Sequence, residues 1–335
     1  MSHEFKVSNG VRQGAVSSPL LFSVYIDELF AQLQKSGIGC RLYGLYFGVV
    51  GYADDLLLLS ASRSGLQSMV NLCAQFMKAK GLKFSTNEVP EKSKTKCIIF
   101  SKKEKERNRV LPISLNGNEL PWVAEVKHLG NTLESDNSMR RDIQIKRSKL
   151  IGKINSLSQE LHFAQPKVFM KLLNIYCVSF HGSCLWNLFS AECDKIYKTW
   201  NVAIRQAWKV PYNTHRYLIE EISMLPHPKD MLASRLVSFR DSLLVSPKFS
   251  VRLLANLRIN DKGTTLGQNL DKIRKELCDV SLSSANVKKH MRYFKLPDVE
   301  EWRVGPLREL MEEDLEIPGF SKQELDDMKN YLATA

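Results

Sequence analysis

Residues 51–60 read GYADDLLLLS, which sets two adjacent carboxylates, Asp54 and Asp55, between the apolar run Val49-Val50-Gly51-Tyr52-Ala53 and four consecutive leucines. Apolar runs flanking a short polar pair predict two strands joined by a tight hairpin. A two-residue hairpin turn normally uses Asn-Gly or Asp-Gly, because its central residues take positive φ, and Asp-Asp is a poor substitute. Broken local rules of this kind concentrate at functional sites. Two carboxylates about 4 Å apart repel by roughly 1 kcal/mol in water and about 4 kcal/mol at an effective dielectric near 20. Between apolar strands such a pair either keeps one proton or holds a cation. Hard divalent ions with oxygen ligands, Mg²⁺ or Mn²⁺, are the natural occupants. The plain alternative is a solvated surface turn.

The rest of the chain is consistent with a folded, basic protein. Of 335 residues, 44% are apolar and 25% charged, which argues against disorder. Lys and Arg outnumber Asp and Glu by 48 to 36, a net charge of +12. The excess is uneven: residues 298–335 carry eleven acids and four bases, a local −7 that leaves +19 on residues 1–297. Such a body suits a nucleic-acid binder, because neutralising phosphates releases condensed counterions. The seven cysteines are odd in number and not closely paired, and the opening MSHEFKVSNG has no apolar leader core. Together they predict a reducing, intracellular compartment and leave nucleus or cytoplasm undecided. The longest apolar stretch, residues 172–189, is interrupted by Asn174, Ser179, His181, Ser183 and Asn187, so no membrane span is expected.

Local patterning gives the order of elements. Ser18-Pro19 followed by LLFSVYIDELFAQLQKSG predicts a helix capped at Ser18, with apolar residues at Leu21, Val24, Leu29 and Leu33, ending at Gly37. A strand, the aspartate pair and LLLLS come next. A second helix is expected over about 64–80, closed by Gly81. KCIIFS (96–101) predicts a strand, and ISLNGNEL a hairpin about Asn116-Gly117. From Ser138 onward the segments are long, helical and basic. No internal repeat is present.

Taken together, NGVRQG and SSPLLFSVYIDEL (9–29), then GYADDLLLL, resemble the palm of reverse transcriptases, specifically those of non-LTR retrotransposons. GLKFSTNEVPEKSKTKCIIF (81–100) is similar to the next block of that family, and VKHLGNTLES (126–135) to its primer grip. KTWNVAIRQAWKVPYNTHRYLI (198–219) resembles the segment C-terminal to the thumb in such elements. The resemblance implies an α+β fold: a partial right-hand polymerase palm over 1–135, with fingers and first palm strand missing, a helical thumb-like region over 136–225, and a helical C-terminal region with an acidic tail over 226–335. It implies RNA-directed DNA polymerase chemistry, a two-metal transfer using Mg²⁺ or Mn²⁺, with an RNA template, a DNA primer and deoxynucleoside triphosphates as partners. Asp54 and Asp55 would be the catalytic metal ligands, with Tyr52 beneath the primer end. Arg12, Gln13 and Gly14 would lie against nucleotide and template, Lys94 or Lys96 would face the nucleotide phosphates, and His128, Leu129 and Gly130 would cradle the primer. Such polymerases need a further aspartate on a strand tens of residues before NGVRQG, and the seven residues preceding Ser8 contain none. The expectation is therefore an incomplete site, inactive in this isolated chain; the alternative is a non-catalytic nucleic-acid-binding relic.

Three further patterns carry expectations. Arg140, Arg141, Lys146, Arg147, Lys149 and Lys153 oppose an apolar stripe of Ile143, Leu150, Ile154 and Leu157, which predicts a helix with its core on one side and nucleic-acid backbone on the other. Cys177, His181 and Cys184 stand at i, i+4 and i+7, a spacing that could ligate zinc on one helix. Their apolar flanks favour a packed core helix instead. Trp200, Trp208 and Tyr212 could stack on bases, yet at helical spacing they suit a core.

Overall fold

The computed structural model describes residues 16–276 apart from 88, 90–91, 102–109, 162–164, 179 and 224. Among these the chain forms two compact units, one comprising residues up to Val126 with Glu134–Asn137, the other Lys127–Leu133 with the residues from Ser138 on. The acidic tail lies outside the described residues.

The first unit is α+β. Helix α1 (Ser18–Lys35) has Pro19 in its first turn and is followed by Gly37 at φ 72°. Its buried stripe is Ile26, Leu29 and Leu33, with Phe22 and Phe30 packed alongside. Leu21 and Val24, expected inside, are exposed. The apolar surplus of SPLLFSVYI allows two phases, and the phase that includes the aromatic rings of Phe22 and Phe30 is the one that packs. The predicted strand before the aspartates divides into β1 (Arg41–Leu42), β2 (Leu45–Tyr46) and β3 (Val49–Tyr52), because Tyr43 and Gly44, both at positive φ, turn the chain back. Strand β4 (Asp55–Leu58) pairs antiparallel with β3.

Helix α2 (Arg63–Ala79) is capped by the Ser62 hydroxyl, which accepts from the Gly65 amide, and buries Met69, Cys73 and Phe76 against α1. Its other side packs on the hairpin β6 (Ile113–Leu115) and β7 (Asn118–Leu120), whose turn places Asn116 and Gly117 at positive φ as Asn-Gly predicts. The Gln67 side-chain amide donates to the Ser114 carbonyl at 2.8 Å and accepts from its amide at 2.9 Å, so a helix side chain satisfies backbone groups that a strand edge leaves open. Of KCIIFS only β5 (Cys97–Ile98) is strand, paired parallel with β8 (Trp122–Val123).

The hairpin of β9 (Glu125–His128) and β10 (Asn131–Glu134) comes next, its tip counted in the second unit. Helix α3 (Arg140–Glu160) buries Ile143, Leu150 and Ile154 of the predicted stripe against α5 (Ala191–Trp208), with Leu157 half-buried beside them. Between them, α4 (Pro166–Leu172) runs into a π-helical turn over Leu173–Cys177. Trp186 and Trp200 lie fully buried in the same core. Helices α6 (Arg216–Ser223), α7 (Pro228–Leu244), α8 (Phe249–Ile259) and α9 (Thr265–Glu276) complete the unit. The buried Asn269 of α9 accepts from the Leu188 amide and donates to the Trp186 carbonyl, tying the last helix to the core. No helix among the described residues is long and apolar enough to cross a membrane.

Candidate active site

The β3–β4 register pairs Tyr52 with Asp55, so the two-residue turn is Ala53-Asp54 and Asp55 opens the returning strand. This corrects the expectation of an Asp-Asp turn. Ala53 has φ 52° while Asp54 is not at positive φ. Positive φ at the first turn residue alone is the type II′ pattern, whose first position normally calls for glycine. Both aspartates and Tyr52, 66% exposed, stand in solvent at the hairpin tip, where repulsion between carboxylates is closer to its value in water.

Beneath the tip, Phe22, Ile26 and Phe30 of α1 and Met77 of α2 line an apolar cleft with Ala53, Asp54 and Asp55 as its rim. Gly51 makes this possible, since a Cβ there would overlap the Phe30 ring. The donor set is two exposed carboxylates, which fits a hard divalent cation that keeps several waters or takes phosphate oxygens. Among the described residues no group of three His, Cys, Asp or Glu side chains comes together.

The other candidates are scattered. Arg12, Gln13 and Gly14 lie outside the described residues. Lys94 and Lys96 are exposed. His128, Leu129 and Gly130 form the β9–β10 tip in the second unit, with Leu129 at φ 46° and Gly130 at φ 80°. Positive φ at both positions is the type I′ pattern.

The expected cationic face of α3 is more divided than its sequence. Arg140, Arg141, Lys149 and Lys153 are exposed. Arg147 donates to the Thr199 hydroxyl, and Lys153 to the Tyr176 carbonyl. Lys146 points inward: its ammonium donates to Asp142 at 2.9 Å, to Asn131 Oδ1 at 2.6 Å and to the His181 carbonyl. Asp142 is buried and accepts further from the Thr132 amide at 2.9 Å and the Trp186 indole at 2.7 Å. The sequence patterns do not single out Asp142, and they bring in His181 only beside its neighbouring cysteines. The available signal was Asp142 itself, an acid in the first turn of a basic helix and one turn before a lysine.

Cys177, His181 and Cys184 do not share a helix, since helical structure stops at Cys177 and resumes as a 3₁₀ turn at Ser183–Leu185. Burial raises the thiols of Cys177 and Cys184 above their ordinary range. Trp200 and Trp208 are core, whereas Tyr212 is 90% exposed.

Residues 1–133 match the family described as reverse transcriptase (RNA-dependent DNA polymerase). Among similar proteins, the retrovirus-related Pol polyprotein from type-1 retrotransposable element R1 of Bradysia coprophila is 28% identical over 54% of this chain and 17% of its own length. The Pol polyprotein from the type-2 element R2DM of Drosophila melanogaster is 32% identical over 30% of this chain and 10% of its own. That from element R2 of Nasonia vitripennis is 34% identical over 29% and 9%. Residues 1–133 therefore resemble a reverse transcriptase domain of the non-LTR retrotransposon kind, a family with a palm-like fold. The chain spans less than a fifth of the length of these relatives.

Proposed function

We propose that the domain belongs to an RNA-directed DNA polymerase that adds deoxynucleotides to a primer 3′ hydroxyl on an RNA template. The observation that carries this reading is the Asp54–Asp55 pair, exposed at a hairpin tip over an apolar cleft within the family-matched residues. Asp54 and Asp55 would hold Mg²⁺ or Mn²⁺, which when bound supplies charge neutralisation at the triphosphate and a more acidic primer hydroxyl. Tyr52 lies under the primer terminus, Arg12, Gln13 and Gly14 against nucleotide and template, and Lys94 or Lys96 donates to the phosphates and can protonate the departing pyrophosphate. The 128–130 turn supports the primer backbone. Residues 136–225 serve as a thumb, with Arg140, Arg141 and Lys149 toward phosphates; Lys146 is assigned no such contact, its ammonium being engaged by Asp142, Asn131 and His181.

With two carboxylates in place and no third donor beside them among the described residues, the described part of the site holds metal without supporting primer extension. Mn²⁺ titration followed by electron paramagnetic resonance tests the ligand assignment. Binding present in the chain and lost in Asp54→Asn/Asp55→Asn, with RNA affinity unchanged, supports it. Mn²⁺ binding that survives Asp54→Asn/Asp55→Asn sinks it.

A further inference from the structure

We infer that His181, acting with the Asp142–Lys146 pair, is a positioning residue that locks the Leu129-Gly130 turn in its left-handed conformation for contact with a primer strand; this rests on the polymerase reading above. The turn is expensive. Leu129 at φ 46° carries a left-handed penalty of roughly 1–2 kcal/mol. Leu129 is 41% exposed, and Gly130 is exposed too, so the tip contributes little apolar burial in return.

The tip is nevertheless held on both sides. The His181 ring donates from Nε2 to the Leu129 carbonyl at 3.1 Å, which places the ring proton on that nitrogen because a carbonyl only accepts. The same ring lies against Gly130, where a Cβ would be 3.4 Å from its Cδ2. On the far side of the turn, Lys146 grips Asn131 and Asp142 grips the Thr132 amide. The two clamps are joined, since Lys146 also donates to the His181 carbonyl. Gly182 admits the Asn131 amide at this junction, because a Cβ there would overlap Asn131 Oδ1. A strained, solvent-facing turn persists only when its surroundings over-determine it, and such strain clusters where ligands are gripped. Supporting hydrogen bonds of this kind are how a contact loop is held to the tolerance that binding requires.

The test uses the full chain and the variants His181→Ala and His181→Gln, the latter keeping a side-chain N–H donor. Hydrogen–deuterium exchange over 127–133 reads the turn, and binding to an RNA–DNA hybrid with a recessed DNA 3′ end, against a blunt hybrid, reads its use. In His181→Ala, exchange over 127–133 accelerates about tenfold and the preference for the recessed end falls about fivefold, while blunt-end affinity and melting temperature hold. His181→Gln restores both. Unchanged exchange in His181→Ala overturns the clamp. Faster exchange in that variant, with a wild-type chain showing no preference for recessed ends, keeps the clamp and overturns the primer role.

Discussion

Asp142 and Lys146 stand one helical turn apart in a 2.9 Å ion pair whose side chains keep only 2% and 12% of their surface in solvent. Removing one partner from a buried pair strands the other, at a cost of about 3–5 kcal/mol. Asp142→Ala also leaves the Thr132 amide and the Trp186 indole without their acceptor. Urea denaturation of the full chain should show that loss, and should show a somewhat smaller one for the double variant Asp142→Leu/Lys146→Met, which strands no charge but still leaves the Thr132 amide and the Trp186 indole without an acceptor. A single-variant cost below about 1 kcal/mol contradicts the network's structural weight.

Lys149, exposed on the same helix, tests the nucleic-acid face that Lys146 does not serve. Replacing a lysine that neutralises one phosphate lowers the slope of log affinity against log salt by about 1. Anisotropy titrations of an RNA–DNA hybrid with the chain and with Lys149→Ala, across several salt concentrations, measure the difference. Parallel lines would remove Lys149 from the interface.

At the aspartate hairpin, Ala53→Gly should stabilise the first unit by about 0.5–1 kcal/mol, since glycine takes positive φ without a Cβ penalty. Gly51→Val should do the reverse. Its side chain drives Phe30 from the hairpin floor, costing about 1–3 kcal/mol as overpacking does, and Phe30→Ala added to it should recover part of the loss. Thermal melts of the three variants decide both points.

Burial pushes the Cys73 thiol up to about 12, and the Cys97 and Cys193 thiols up to about 11, from an ordinary 9.0. Above pH 9 the unfolded chain therefore releases protons that the folded chain keeps. Fewer protons are bound in the unfolded state, so stability falls as pH rises from about 9 toward 11 to 12, by at most about 1.4 kcal/mol per pH unit for each thiol. Denaturation midpoints at pH 8, 9 and 10 should decline in that order. Cys73→Ala should flatten the decline. At pH 8, alkylation of the native chain should modify the half-buried Cys40 before Cys73, Cys97 or Cys193.

The β3–β4 hairpin was legible from sequence because two apolar strands flank a short polar pair, although its turn is Ala53-Asp54 and Asp55 belongs to the returning strand. Asn116-Gly117 was legible for a different reason, as a turn whose chemistry matches its geometry. Phase on α1 was not, because Leu20, Leu21 and Val24 are as apolar as the residues that pack, and only the tertiary fit of Phe22 and Phe30 separates the faces. Lys146 was misleading for a related reason: spacing on α3 shows that a cation leaves the helix, and not that Asn131, Asp142 and the His181 carbonyl wait for it. His181 itself was considered only with its neighbouring cysteines, since its partner Leu129 lies 52 positions away.

That separation also sets an order of events when the chain is made. Synthesis is vectorial, and long-range contacts must await their distant half. The hydrogen-bond network that fixes the 128–130 turn draws on residues 142, 146, 181 and 186, so a nascent chain that has emerged only as far as α3 has the hairpin strands and the aspartate tip but a tip at 128–130 still free to sample other turns. The grip on this turn is acquired late, when His181 and Trp186 leave the ribosome, and ribosome-bound chains halted before and after residue 186 has emerged from the exit tunnel should differ in protease sensitivity at Leu129.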